Sequence, residues 1–144
     1  MLIGATGCGK TYIASALTNN ACRKEYRAQY YRLSEFFGEM EAARLQGKHN
    51  DLINRLRSIP LMVFDDFLLL PTTQDEQREL FLLLRARDEA KTSTILCSQV
   101  DVAGWHERLG SGGVADTLLD RITSNGYLII IGGDVSMRKR LSRI

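Results

Sequence analysis

The sequence predicts an α/β fold: a parallel sheet of about five strands, covered by helices on both faces, with its ligands at the strands' carboxyl ends. Three observations lead to it. The chain opens on a strand stub, a glycine-rich loop and a helix in direct succession (MLIGATGCGKT). A continuous apolar run at 61–64, LMVF, ends abruptly in Asp65 and Asp66, as a central parallel strand buried on both faces would. Apolar strand-length segments also alternate with helix-length amphipathic ones along the whole chain.

In order, Leu2 and Ile3 form the end of the first strand, and residues 10–26 form a helix whose Ile13, Ala14, Leu17 and Ala21 share a face. Residues 28–33 (AQYYRL) are rich in β-forming aromatics. Ser34 is expected to cap a helix running to Gly47, with Phe36, Phe37, Met40 and Ala43 inward. A short amphipathic helix follows at 50–58 and is closed by Pro60. After the acidic strand end, Thr73 begins a long helix to about Ala90, with Leu80, Leu83, Leu84 and Arg87 along it. STILCS at 93–98 reads as a buried strand, two short helices surround Trp105 and Leu118, and YLIII at 127–131 is the last strand. There is no internal repeat, low-complexity tract or linker, so residues 1–144 are expected to make a single domain.

Composition excludes several classes. With 44% hydrophobic and 25% charged residues, the balance is that of a globular protein, not a disordered or fibrous one. The 19 basic residues nearly cancel the 17 acidic ones, so a nucleic-acid surface must be a local patch. Cys8, Cys22 and Cys97 form no CxxC or Cys/His cluster, which points to a reduced, cytoplasmic chain without structural zinc. No apolar run approaches the roughly 18 residues of a membrane span. His49 and His106 are too isolated to act as ligands or as a catalytic pair, and Trp105 is expected in the core.

Chemistry concentrates at two motifs. Gly4, Gly9, Lys10 and Thr11 fit GxxxxGK[ST] at every fixed position, with Ala5, Thr6, Gly7 and Cys8 between them. Glycines let the backbone amides wrap a phosphate, and the following helix adds its positive end. Lys10 would reach the β and γ phosphates of ATP, and the Thr11 hydroxyl would hold Mg2+. The strand end LMVFDD supplies the acid such a site needs: Asp65 toward Mg2+, and Asp66 as the base that polarises the attacking water. Ser98 and Gln99, ending the neighbouring strand, lie where a polar group can sense the γ phosphate; a plain turn role is the other reading.

GATGCGKT, LMVFDDF, STILCSQVDVAGWHERLG, ADTLLDRI and GGDVSMRKR, in this order, resemble the insertion-sequence helper ATPases called IstB-like proteins. These are relatives of the bacterial replicative helicase loader in the initiator branch of the AAA+ ATPases. The resemblance implies a three-layer AAA+ P-loop domain, here without a helical lid. It also implies a homo-oligomer with ATP at its subunit interfaces, which binds DNA and assists a cognate transposase. Arg121 in LLDRI matches the arginine finger that reaches a neighbour's γ phosphate; a surface salt bridge to Asp116 or Asp120 is the alternative. Arg138 in SMRK matches a second nucleotide-sensing arginine, against a basic tail or a DNA-backbone contact. Residues 48–57 (KHNDLINRLR) fall where initiator-branch ATPases insert a helix along the DNA path, making Lys48, Asn54, Arg55 and Arg57 candidate DNA contacts; a solvated helix face is the alternative.

Two departures accompany the match. The family's N-terminal region and part of the first strand are expected to be missing, and Leu68 stands where a glycine commonly follows DDF. A helicase loader in replication, and a truncated nucleotide-binding remnant with little turnover, are the alternative functions.

Overall fold

Apolar side chains on both faces of the central strands build the sheet and hold its helices. The computed structural model describes residues 1–133 and 136–137. Among them the order is β1 (Leu2–Gly4), α1 (Lys10–Arg23), β2 (Ala28–Arg32), α2 (Leu33–Leu45), α3 (His49–Arg57), β3 (Leu61–Asp65), α4 (Gln74–Glu89), β4 (Ser93–Ser98), α5 (Val102–Arg108), α6 (Gly113–Ser124) and β5 (Ile129–Ile131). All pairings are parallel, in the spatial order β2-β3-β4-β1-β5.

Successive strand residues point to opposite faces. Met62, Phe64, Leu96 and Ile3 therefore join one large core with Phe36, Met40, Leu52, Leu56, Leu80, Leu83, Trp105 and Leu118 of the helices α2 to α6. Val63, Cys97 and Leu2 face the other way and pack with Ala14 of α1 in a small second core. That gives the expected three layers, with α1 on one face of the sheet. The Cys97 thiol, enclosed beneath α1 and near Asp65, is pushed up to about 12, chiefly by burial.

Thr73 caps α4 as expected: its hydroxyl accepts the Glu76 N–H at 3.2 Å, and the Glu76 carboxylate accepts the Thr73 N–H at 2.8 Å. Ser34 does not cap α2. β2 runs straight into that helix, which begins at Leu33, and Arg32 takes the cap position with its N–H bonded to Glu35 at 3.2 Å. The last strand is also shorter than the apolar run YLIII, because pairing with the three-residue β1 supports only Ile129–Ile131.

The short first strand sits between β4 and β5. It pairs with β4 only at Cys97 and Ser98, although β4 pairs with β3 along Ser93, Thr94, Ile95 and Leu96. Arg87 of α4 reinforces this end of β4. Its guanidinium is 1% exposed and donates to the carbonyls of Leu56 (2.6 Å), Ile59 (2.9 Å) and Ser93 (2.6 Å) and to the Thr94 hydroxyl (2.9 Å). Burial pushes its pKa down to about 10.

Candidate functional site

β1, β3 and β4 end side by side at the sheet's carboxyl edge, so the loops that follow them converge. The first is the glycine loop. At Gly4 the chain must pass close to β5: a Cβ there would lie 2.5 Å from the Ile131 carbonyl oxygen, so only glycine fits. Gly9, with φ 99, turns the chain into α1 through the left-handed region. Lys10 is 7% exposed, and its ammonium donates to the Gly4 (2.6 Å) and Ala5 (2.8 Å) carbonyls, folding it back over the loop. The Cys8 sulfur lies 3.7 Å from the same ammonium. The Met137 N–H bonds the Gly7 carbonyl at 2.8 Å, which brings Met137 against the loop.

The acidic strand end meets this loop directly. The Thr11 hydroxyl donates to Asp65 Oδ2 at 2.8 Å, and the Asp66 N–H donates to Oδ1 at 2.9 Å. The Tyr30 hydroxyl also donates to Oδ2. Burial, then the carboxylate it faces, holds the Tyr30 phenol well above its ordinary pKa, so it stays a donor. Among the described residues there is no cluster of three or more His, Cys, Asp or Glu side chains able to hold a metal alone. Mg2+ needs no such cage: it keeps several waters and binds through one or two protein oxygens plus phosphate, and the Thr11–Asp65 pair offers that hard-oxygen donor set.

Asp66 leaves the strand in the left-handed region, φ 52, and borders a hollow of about 140 Å3 shared with Ser34, Phe37, Leu70 and Glu76. Leu68 has φ 51 and is fully buried, so it keeps the backbone a glycine would adopt freely. Ser98 and Gln99 part company. The Ser98 hydroxyl is enclosed and fully used: it donates to the Phe67 carbonyl (2.7 Å) and accepts the Trp105 indole N–H (2.9 Å) and the Val100 N–H (3.1 Å). That makes Ser98 a brace of the strand end, not an open group facing phosphate. Gln99 is exposed and its side-chain oxygen accepts the Thr6 hydroxyl of the glycine loop.

Arg121 lies elsewhere. It borders a cleft of about 450 Å3 at the sheet's amino edge, with Leu2, Ser93, Ile95, Asn125 and Ile129. The glycine loop is at the opposite edge, so one copy cannot bring this guanidinium to its own loop. Its partner is Asp88 at 2.8 Å, neither Asp116 nor Asp120, and its Nε is buried with no hydrogen-bond partner among the described residues. Asp116 is bonded instead to His106 at 2.8 Å, and His49 to Glu79 at 2.6 Å. Arg138 lies outside the described residues. Lys48, Asn54 and Arg57 are exposed on or beside α3, while Arg55 is paired with Glu39 at 2.8 Å, which also accepts the Tyr31 hydroxyl. No helix among the described residues is long and apolar enough to cross a membrane.

Sequence reasoning missed Tyr30 and Asp88. Tyr30 sits opposite Val63 in the β2–β3 register, and Val63 shares its face with Asp65, so alternation across the two strands was the signal for it. Nothing local marked Asp88 as the partner of Arg121.

Known proteins place the chain in a family. The family model for the IstB-like ATP binding protein matches residues 1–144. The insertion sequence ATP-binding protein y4pL of Sinorhizobium fredii is 33% identical over 142 residues, which is 99% of this chain and 57% of that protein. The insertion sequence IS21 ATP-binding protein of Pseudomonas aeruginosa is 28% identical over 93% of this chain and 50% of its own length. The chain thus spans about half the length of these relatives. Among solved structures, AMPPCP-bound DnaA from Aquifex aeolicus superposes with a TM-score of 0.76 at 28% identity, covering 95% of this chain and 41% of that one. The DnaC helicase loader superposes with a TM-score of 0.78 at 18% identity, over 91% of this chain and 76% of that one, a likeness of AAA+ fold alone. With the glycine loop, the acidic strand end and the family match over residues 1–144, the chain belongs to the IstB-like ATP-binding proteins, on the P-loop fold of the AAA+ class.

Proposed function

We propose that this chain is a Mg2+-dependent ATPase domain that assembles on DNA and assists the transposase of an insertion sequence. The observation that carries the reading is the Thr11–Asp65 hydrogen bond, which couples the phosphate loop to the acid on β3. The insertion-sequence relatives favour transposition over helicase loading.

The loop amides of residues 4–11 cradle the phosphates, and Lys10 exchanges the Gly4 and Ala5 carbonyls for β and γ phosphate oxygens. Thr11 and Asp65 would hold Mg2+, which when bound would neutralise charge on the phosphate oxygens. Asp66 takes a proton from the attacking water, whose oxygen bonds to the γ phosphorus as the bond to ADP breaks. Gln99, tied to Thr6, senses the γ phosphate from the end of β4. Arg121 leaves Asp88 and stabilises transition-state charge at a neighbouring copy's phosphates, so turnover depends on assembly. Arg138, in the SMRK segment, is the second nucleotide-sensing arginine. Lys48, Asn54, Arg55 and Arg57 contact the DNA backbone, Arg55 after exchanging Glu39 for phosphate.

ATP turnover per chain, measured across protein concentration with and without duplex DNA, tests this reading. It is expected to rise with both and to collapse in Arg121→Ala. A specific activity flat with concentration would sink the finger assignment.

A further inference from the structure

We propose that Tyr30 is a positioning residue for the metal site: its hydroxyl holds Asp65 in the orientation in which Asp65 and Thr11 act together on Mg2+. The proposal rests on the reading of Thr11 and Asp65 as the metal pair.

Three elements meet at one oxygen. Asp65 Oδ2 accepts the Thr11 hydroxyl from α1 at 2.8 Å and the Tyr30 hydroxyl from β2, while Oδ1 accepts the Asp66 N–H at 2.9 Å. The last bond fixes one end of the carboxylate to the backbone. The two hydroxyls fix the other end, so rotation about the Cβ–Cγ bond would break two charge-assisted bonds. Tyr30 itself is held by its ring, which packs against the Ala14, Val63 and Cys97 cluster beneath α1. β2 and β3 are in parallel register from Ala28↔Leu61 to Arg32↔Asp65, so the tyrosine stands on the face of the strand pair that carries Asp65. When the Thr11 oxygen turns a lone pair to a cation, its proton can still go to Asp65. Tyr30 is then the donor that offers nothing to the metal and only orients the acid. Groups of this kind around a metal ligand change metal affinity by roughly 10- to 100-fold when removed.

The neighbouring residue is an internal control. Tyr31 also donates its phenol to a carboxylate, Glu39, but it lies on the opposite face, in the large core with Phe36 and Phe64. Tyr31→Phe removes a comparable bond without touching Asp65.

The test is equilibrium binding of ATP to the full chain, first in a chelator and then across a Mg2+ titration, with a thermal melt of each protein. Tyr30→Phe is expected to bind ATP in chelator as the wild type does and to need on the order of tenfold more Mg2+ for half-maximal tightening. Tyr31→Phe is expected to follow the wild type in both. Tyr30→Met, donor-free and of similar reach, is the second variant if the phenylalanine form does not fold, and the same shift is expected. Wild-type Mg2+ dependence in the donor-free variant would overturn the proposal, as would an equal loss of affinity with and without Mg2+, which marks a general prop. A wild type that binds ATP with no Mg2+ response would instead overturn the metal reading of Thr11 and Asp65, and this proposal with it.

Discussion

Thr11 and Asp65, far apart in sequence, are joined by a 2.8 Å hydrogen bond between a hydroxyl at the start of α1 and a carboxylate at the end of β3. The bond brings both oxygens together at the sheet's carboxyl edge. Asp65→Ala is expected to keep ATP binding in chelator and to need more Mg2+ than Tyr30→Phe does, a shift of at least about tenfold. A Mg2+ titration of ATP binding checks this; an unchanged Mg2+ midpoint would remove Asp65 from the metal site.

Arg87 predicts a stability effect remote from the chemistry. Arg87→Leu fits the apolar face of α4 but strips donors from three carbonyls, on Leu56, Ile59 and Ser93. Each buried group left unpaired costs roughly 1–3 kcal/mol, so a loss of about 3 kcal/mol or more is expected, a large share of a domain's total. Chemical denaturation measures it. A change below about 0.5 kcal/mol would mean that the carbonyls find other partners.

At Leu68 two effects oppose each other. Left-handed backbone costs a non-glycine residue roughly 1–2 kcal/mol, while full burial of a leucine contributes roughly 1.5–3 kcal/mol, and truncation adds a cavity term. With φ 51 and no exposed surface at this residue, burial wins. Leu68→Gly is therefore expected to lower the melting temperature despite relieving the backbone; a rise would show that strain dominates.

Local signals made much of this molecule legible. The glycine loop, the acid-ended strand and the Thr73 cap each lie within a few consecutive residues, and each stands where its pattern placed it. The features that were not legible depend on distant partners. The exposure of Ser98 could not be read without knowing that the Trp105 indole and the Phe67 carbonyl converge on its hydroxyl. Arg121 gave no hint of Asp88, which α4 brings to it. YLIII looked like five residues of strand because apolarity marks what can pair, while the length of the partner strand sets how much does.

The account stands on the phosphate loop, and one measurement tests it most directly: calorimetric titration of ATP with Mg2+ into the wild type and Lys10→Ala. The wild type is expected to bind, and the variant to lose affinity by about a hundredfold or more, since a nearly buried ammonium facing phosphate is removed. A thermal melt confirms that the variant folds without the Gly4 and Ala5 contacts. Equal ATP affinity in the two folded proteins would contradict the assignment of residues 4–11 as the nucleotide site.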